Sequence, residues 1–332
     1  MQDPTLALCI PAYNAAGHLP RLLESAKEQT KPFDEVLVYD DCSTDSTAEI
    51  ARSHGATVIS GDENQGCSVG RKRLAEHAST EWVHFHDADD KLLPNFVEQA
   101  RQWMTRDNPP EVVLFGYEYR RKEDDELLTK RRFDAEALRE DPIGYTIRTQ
   151  INPFCGLYHR TSFIEAGGPD TDPKVLQSED VAMHCKLARA GLRFDADPTI
   201  TLINYRRQGS MSQTNQVENR RARYHILKKC ARYNGSTHGE TIARELWKSA
   251  GLLAAHLQWD LADKAAQLAV QLDGRVPTHG GLFFTVLGAI HPQMALRVRE
   301  GLIRLLKPAL READQYGELG GKLAVTKGWG KT

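Results

Sequence analysis

Residues 81–94 read Glu81-Trp-Val-His-Phe-His-Asp-Ala-Asp-Asp-Lys-Leu-Leu-Pro94. The apolar and aromatic half of this stretch predicts a buried strand. Three carboxylates, Asp87, Asp89 and Asp90, follow it and would lie at the carboxyl end of that strand, where open α/β sheets bind ligands. Carboxylates this close repel one another, and a hard divalent cation, Mg2+ or Mn2+, would relieve the repulsion. The alternative is a solvated acidic turn before a helix that starts near Pro94.

The sequence before this stretch alternates between strand and helix patterns. Three apolar runs predict buried strands and two runs between them predict helices, in the chain order 5–10, 17–29, 35–39, 46–55 and 56–60. This order implies an α/β fold with a mostly parallel sheet flanked by helices. The chain contains neither GxGxxG nor GxxxxGK[ST], so neither a dinucleotide-binding fold nor a P-loop is supported.

Charge is divided unevenly along the 332 residues. Residues 1–219 carry 25 Lys and Arg against 36 Asp and Glu, a net charge of −11, whereas residues 220–332 carry 18 against 9, a net charge of +9. This asymmetry indicates two units with different partners. We predict an α/β domain over residues 1–217, a helical extension over residues 218–311 and a flexible tail over residues 312–332.

Composition restricts the cellular setting. Six cysteines are scattered without a CxxC pair, which is typical of reduced thiols in a cytoplasmic protein. The chain does not open with a basic segment followed by a long apolar one, so no signal peptide is predicted. The chain contains no run of 18 apolar residues, so no membrane span is predicted. Nucleic-acid binding is not predicted, because the basic part of the chain has no interleaved aromatic residues.

Polar residues follow two other predicted elements at the same sheet edge. Asp40 and Asp41 end a strand and could accept hydrogen bonds from a base and from ribose hydroxyls, or could form a turn and helix cap. Arg71, Lys72 and Arg73 open a predicted helix and could pair with a diphosphate. For Lys72 and Arg73 we favour a solvated helix face.

Four short motifs carry a resemblance to a known family. They are Ile10-Pro-Ala-Tyr-Asn14, Asp40-Asp-Cys-Ser-Thr-Asp45, Asn64-x-Gly66 with Arg71, and Asp87-Ala-Asp-Asp90. Their order and spacing resemble family 2 glycosyltransferases of the GT-A fold, of the inverting type that builds bacterial surface polysaccharides. The resemblance implies a nucleotide-sugar donor, with UDP favoured, and a glycan or lipid-linked acceptor.

The resemblance also implies roles on the donor side. Pro11 and Tyr13 would flank the nucleobase, Asp41 would bond the base, and Arg71 would lie near the base or the diphosphate.

The two remaining roles concern the acidic turn. Asp89 would be the main ligand of Mn2+ or Mg2+ between the phosphates, and Asp87 would bond the ribose or support the metal. Such a cation stabilises the charge that develops on the leaving diphosphate.

A second acidic pair opens the predicted helix that follows Ser178 and ends at Gly191. Glu179 and Asp180 occupy its first turn, where the helix dipole alone favours carboxylates. The resemblance extends to this Glu-Asp pair and implies that Asp180 is the catalytic base, while Glu179 orients the acceptor or the start of the helix. We expect the helix N-terminus to lower the pKa of Asp180 and keep it ionised.

The segment after that helix bears on the number of sugars transferred. The glutamine-arginine-tryptophan motif of processive relatives is absent, which favours transfer of a single sugar. Arg206 and Arg207 lie in a loop that resembles a flexible donor-closing segment, where they could meet the diphosphate or only decorate the loop.

The C-terminal helices lie outside the family motifs. The last predicted helix, residues 293–310, sets five cations beside leucines: Arg297, Arg299, Arg304, Lys307 and Arg311. It could lie peripherally on an anionic membrane surface. The alternatives that we favour are docking on the acidic first domain and formation of a homodimer.

Two other functions remain open from the sequence. A nucleotidyltransferase also uses an α/β sheet, a metal and carboxylates, but normally has a glycine-rich phosphate loop, which residues 11–14 do not provide. A non-catalytic nucleotide-sugar-binding scaffold would have the same fold. The presence of every expected acid favours the enzyme.

Overall fold

The structure is a computed structural model that describes residues 3–206, 215–273, 282–309 and 311. The chain divides into two compact units, residues 1–207 and 208–332. The first unit contains the sheet, and the described part of the second consists of helices. The predicted boundaries after residues 217 and 311 stay predictions.

Nine strands of the described chain form one sheet. In chain order they are β1 (Leu6–Ala12), β2 (Glu35–Asp40), β3 (Thr57–Ser60), β4 (Trp82–Phe85), β5 (Lys91–Leu92), β6 (Val112–Arg121), β7 (Leu127–Arg131), β8 (Gly156–His159) and β9 (Phe194–Arg206). Their spatial order is β3-β2-β1-β4-β8-β6-β9-β5, with β7 beside β6. The first strand continues through Pro11 to Ala12, so its predicted end at residue 10 was too early.

The direction of the strands changes across the sheet. β1, β2, β3 and β4 run parallel, as the β-α-β order predicted. Strand β8 is antiparallel to both β4 and β6, so β6 and its parallel neighbour β9 again run in the direction of β1–β4. The sheet is mixed, but most of its strands point the same way, as predicted.

Helices cover both faces of the sheet in the first unit. They are α1 (Leu19–Lys27), α2 (Thr47–Ser53), α3 (Cys67–His77), α4 (Phe96–Met104), α5 (Ala135–Glu140), α6 (Pro142–Arg148), α7 (Arg160–Glu165) and α8 (Glu179–Arg189). The core lies between them and the sheet, and every residue of β1 is buried. A strand buried on both faces reads as a continuous apolar run, which explains why the sequence revealed it.

The pairing of β6 with β9 is irregular at one point. The register between these strands shifts beside Gly116. A Cβ on Gly116 would lie 3.0 Å from the carbonyl oxygens of Pro198 and Thr199, so the close backbone approach favours glycine. Beyond this point β9 extends back toward the acidic turn, and its end supplies partners to the site.

Four helices form the described part of the second unit: α9 (Gln216–Ala255, broken at His238), α10 (Trp259–Asp273), α11 (Leu282–Ile290) and α12 (Pro292–Leu306). Alanines and leucines form its buried seam, as in Leu246, Leu253 and Ala262. The predicted tail, residues 312–332, lies outside the described residues.

Much of the predicted basic face of α12 is neutralised within the second unit. Arg297 donates two hydrogen bonds of 2.7 Å to Asp263. Arg304 and Arg311 both pair with Glu300, a carboxylate that is only 2% exposed. These cations stabilise the helical unit, and fewer of them than predicted can meet an external anionic surface.

Apolar side chains nevertheless reach the surface of the second unit. The exposed members are Tyr233, Leu257, Val286, Ile290, Met294, Leu302, Leu305 and Leu306. Among the helices of the described ranges, none is long and apolar enough to span a bilayer.

Candidate functional site

The loops that follow β1 and β2 are tied together at the carboxyl edge of the sheet. The backbone N–H of Asn14 donates to Oγ of Ser43 (2.9 Å), and the N–H of Thr44 donates to Oδ1 of Asn14 (2.8 Å). Pro11 lies buried in β1, and the Tyr13 ring projects from the loop at 49% exposure. An exposed aromatic ring held on a fixed loop is suited to stacking against a planar base.

Asp41 holds a third loop against these two. Its Oδ1 accepts the backbone N–H of Gln65 (2.9 Å), and its Oδ2 accepts that of Gly66 (2.7 Å). Each carboxylate oxygen can accept a second bond. The predicted turn at residues 64–66 is therefore bound to Asp41, a contact that the sequence did not reveal.

The three acids of the turn after β4 have different surroundings. Oδ1 of Asp87 accepts a 2.8 Å bond from Arg71. Asp90 is buried, and accepts bonds from Nδ2 of Asn204 (2.7 Å) and from the N–H of Tyr205 (2.9 Å). Burial, followed by the charges of Asp89 and Asp87, raises the pKa of Asp90 well above its usual range. Asp90 thus fastens the turn to β9, a structural role that sequence reasoning missed.

Arg71 joins this turn to the helix that carries the second acidic pair. Its guanidinium is buried and contacts both Asp87 and Glu179. Burial would lower its pKa, but Glu179, the Cys67 thiol and Asp87 together raise it well above the ordinary value. Arg71 is therefore a permanent cation between two carboxylates that are 92 residues apart in the sequence.

Glu179 is occupied by donors from α3. Its carboxylate accepts bonds from the Cys67 thiol and the Ser68 hydroxyl, both 2.7 Å, in addition to Arg71. Burial would raise the pKa of Glu179, but Arg71 and then the two hydrogen bonds lower it. The contacts fit the predicted role at the helix start, because they fasten the first turn of α8 to the first turn of α3.

Asp180 is partly buried beside Glu179. Its Oδ1 accepts the N–H of Val181, and its Oδ2 accepts Nε2 of Gln150, each at 2.8 Å. Burial raises the pKa of Asp180, although these two hydrogen bonds oppose the shift. The expectation that the helix N-terminus would lower this pKa was wrong, because desolvation outweighs the helix start.

The predicted diphosphate loop is described only in part. Arg206 ends β9, and its guanidinium carbon lies 4.2 Å from the centroid of the Tyr119 ring. Arg207 lies outside the described residues.

The acidic turn contains no complete metal cage. Asp89 is half-buried, and its backbone carbonyl accepts a bond from Arg21. Within residues 3–206, 215–273, 282–309 and 311, no group of three His, Cys, Asp or Glu side chains is arranged to hold an ion.

This combination of a half-parallel sheet, an acidic turn at its carboxyl edge and a second acidic helix start defines a GT-A fold. The chain superposes on S. aureus TarS 1-349, solved in complex with UDP-GlcNAc, with a TM-score of 0.67, 19% identity, and coverage of 91% of this chain and 92% of that one. It also superposes on the mannosyltransferase PcManGT from Pyrobaculum calidifontis, solved with GDP-Man and Mn2+, with a TM-score of 0.58 and 19% identity over 100% and 89% of the two chains.

Sequence comparison supports the predicted family. The model named Glycosyl transferase family 2 matches residues 7–166, which is 160 of the 332 residues. TuaG of Bacillus subtilis, a glycosyltransferase named for teichuronic acid biosynthesis, is 31% identical over 106 residues, 30% of this chain and 42% of TuaG. The succinoglycan biosynthesis protein ExoO of Rhizobium meliloti is 24% identical over 225 residues, 65% of this chain and 64% of ExoO. The chain thus spans less than two thirds of the length of these relatives. The predicted fold is confirmed, and the family model matches the region that carries the four predicted motifs.

Proposed function

We propose that the protein transfers one sugar from a nucleotide-diphosphate sugar to a hydroxyl acceptor, with inversion at the anomeric carbon. The observation that carries this proposal is the chain of contacts Asp87–Arg71–Glu179. It joins the acidic turn to the helix start that bears Asp180. A donor-binding acid and a candidate base are thereby held on one rigid frame, as a direct displacement requires.

The donor is proposed to bind across the three loops at the sheet edge. Pro11 and Tyr13 would flank the nucleobase, Asp41 would accept a base N–H, and Asp87 would accept a ribose hydroxyl. TarS binds UDP-GlcNAc and PcManGT binds GDP-Man, so uridine and guanosine diphosphate sugars are the first donors to test.

The acidic turn fits a divalent cation of the Mg2+ or Mn2+ type. Carboxylate oxygens are the hard ligands that such ions prefer, and these ions commonly take one or two carboxylates plus substrate phosphates. Asp89, supported by Asp87, would hold the ion, and the small number of protein ligands agrees with a shell completed by the donor. When bound, such an ion stabilises the charge of the leaving diphosphate.

Asp180 is proposed as the general base. Its carboxylate would take the proton of the acceptor hydroxyl while that oxygen forms a bond to the anomeric carbon. The bond from the anomeric carbon to the diphosphate breaks, and the nucleoside diphosphate leaves with the bonding electrons. A pKa raised by burial strengthens Asp180 as a base compared with an exposed aspartate.

The acceptor is proposed to be a glycan or a lipid-linked glycan of the bacterial surface. TuaG and ExoO are named for teichuronic acid and succinoglycan biosynthesis, which supports this class. The exposed apolar side chains of α11 and α12 are proposed to contact either a membrane surface or a second copy of the chain. Because Arg297, Arg304 and Arg311 are paired within the unit, the second copy is the better supported partner.

The test is nucleotide release from a panel of UDP-GlcNAc, UDP-glucose, UDP-galactose and GDP-mannose, with Mn2+ and with EDTA. We expect release from one nucleotide class, dependent on the metal and increased by glycan acceptors. Binding of a nucleotide sugar with no release under any condition would favour the non-catalytic scaffold. Failure to bind any of the four would overturn the donor site.

A further inference from the structure

A buried tyrosine–histidine pair supports the backbone of Asp180. Nδ1 of His184, one helical turn further along α8, lies 2.8 Å from the carbonyl oxygen of Asp180. Because a carbonyl can only accept, Nδ1 must carry the hydrogen. In the neutral ring, Nε2 is then an acceptor, and the Tyr158 hydroxyl lies 2.9 Å from it.

The pair is sealed from solvent. Tyr158 is fully buried and His184 is 1% exposed. Burial lowers the pKa of His184 to about 4, although the bond to the Asp180 carbonyl opposes the shift. The ring is therefore neutral at neutral pH, and it fixes Asp180 without placing a positive charge there that would weaken the carboxylate as a base.

Tyr158 is itself fixed by the strand that carries it. Its hydroxyl also lies 3.2 Å from the carbonyl oxygen of Pro153, so its single hydrogen is shared between two acceptors. A Cβ on Gly156 would lie 2.2 Å from the Tyr158 side chain, so the ring closes over a position that only glycine leaves open. Strand β8 pairs Tyr158 with Val83 of β4, four residues before the acidic turn begins.

We propose that Tyr158 and His184 are positioning residues that hold the start of α8, and with it Asp180, in register with the acidic turn. Strand β8 is hydrogen-bonded to β4, which leads into Asp87 and Asp89, and the tyrosine–histidine pair connects β8 to Asp180. Asp87 and Asp89 are thereby connected to Asp180 by a second set of contacts, which does not include Arg71. The role rests on the proposed function, because it concerns the base of that reaction.

Three variants separate positioning from mere stability. Tyr158→Phe removes the hydroxyl. His184→Gln can still contact the Tyr158 hydroxyl from the Nε2 position, but it loses the hydrogen bond to the backbone carbonyl of Asp180. His184→Asn keeps a donor near the Nδ1 position and can retain that hydrogen bond. Tyr145→Phe is the matched control, because it also removes a buried phenol that is hydrogen-bonded, to the N–H of Asp134 at 3.1 Å, within the same unit.

The readouts are kcat for nucleotide release from the panel donor that the wild-type protein turns over fastest, and the calorimetric Kd of its nucleoside diphosphate. We expect kcat to fall about 10-fold or more in Tyr158→Phe and His184→Gln with Kd unchanged, because a small misplacement of a catalytic group is costly. His184→Asn should keep more activity than His184→Gln, and Tyr145→Phe should match wild type.

Two failures are distinguishable. If Tyr158→Phe and His184→Gln turn over like Tyr145→Phe while Asp180→Asn is inactive, the positioning role is wrong and the proposed function stands. If the wild-type protein releases no nucleotide, or Asp180→Asn equals wild type, the proposed base is wrong and the positioning role fails with it.

Discussion

The acidic turn at residues 87–90 and the helix start at residues 179–180 are both acidic clusters, and in each of them neighbouring acids have different surroundings. In each cluster one carboxylate has a structural role: Asp90 accepts hydrogen bonds from the end of β9, and Glu179 accepts hydrogen bonds from the first turn of α3. The neighbouring acids, Asp89 and Asp180, are partly exposed at the sheet edge. Adjacent acids therefore divide into one that builds the site and one that can act in it.

Arg71 is the point at which the two clusters meet. It pairs with Asp87 from the first and with Glu179 from the second, and it is buried between them. The comparison predicts that replacing a chemically acting acid abolishes turnover while the fold remains. Replacing a structural residue should instead lower stability, and only then turnover.

The largest expected effect is that of Asp180→Asn. The amide cannot take a proton, so kcat should fall by about 100- to 10,000-fold, the usual contribution of a general base. The Kd of the nucleoside diphosphate should stay unchanged. Stopped or continuous assays of nucleotide release measure the first quantity, and calorimetry measures the second. If this variant turned over at the wild-type rate, Asp180 would not be the base.

The next effect is the loss of stability in Arg71→Ala. Removing this cation leaves Glu179, which is 13% exposed, and Asp87, which is 35% exposed, without their ionic partner. Loss of one partner of a fully buried pair costs about 3–5 kcal/mol, and partial solvation of Asp87 places the expected loss at the lower end of this range. Thermal unfolding followed by circular dichroism would show it. Arg73→Ala is the control, since Arg73 forms an exposed pair with Glu76 that contributes at most about 1 kcal/mol. Equal losses in both variants would contradict the bridging role.

A smaller loss is expected for Asp90→Asn. The carboxylate accepts from both Asn204 and Tyr205, and an amide of the same shape can accept only through its one oxygen. Leaving one partly buried donor unsatisfied costs about 1–3 kcal/mol. Removal of a charge that Asp87 and Asp89 repel offsets part of this cost, so we expect a loss at the lower end of the range. Asp107→Asn, at an exposed position, provides the matched control in the same unfolding measurement. An Asp90→Asn protein as stable as wild type would show that the acidic turn does not depend on its contact with β9.

The smallest effect is a shift of the acidic limb of the kcat–pH profile to higher pH. Burial holds the pKa of Asp180 above its ordinary value of 3.8, and a base acts only when deprotonated. As pH falls through that raised pKa, log kcat should fall with a slope of about 1. A kcat profile from pH 4 to pH 8, over the range in which the protein stays folded, would test it. A profile that is flat down to pH 4 would contradict the assigned shift.

The sequence predicted the strands of the first half because burial on both faces leaves an uninterrupted apolar run, as in β1 and β4. It did not predict the antiparallel insertion of β8. Pairing between β8 and β4 depends on how the later chain returns to the sheet, which local patterns do not encode.

Motifs in the sequence named Asp87, Asp89, Glu179 and Asp180 as candidate site residues, and their roles stay predictions. The sequence did not show how the fold uses each of these acids. The structural role of each acid depends on hydrogen-bond partners that are distant in the sequence, such as Cys67 for Glu179 and Gln150 for Asp180. The same distance explains the wrong pKa expectation for Asp180, because burial by other elements outweighs the local helix start.

The measurement that tests the central claim most directly is a calorimetric titration of the wild-type protein and Asp89→Ala with UDP and GDP, each with and without Mn2+, with Asp107→Asn as control. We predict that one nucleotide binds wild type and Asp107→Asn tightly only with Mn2+, and that Asp89→Ala loses this dependence together with most of the affinity. Metal-dependent binding that is unchanged in Asp89→Ala would contradict the assignment of the acidic turn as the donor and metal site.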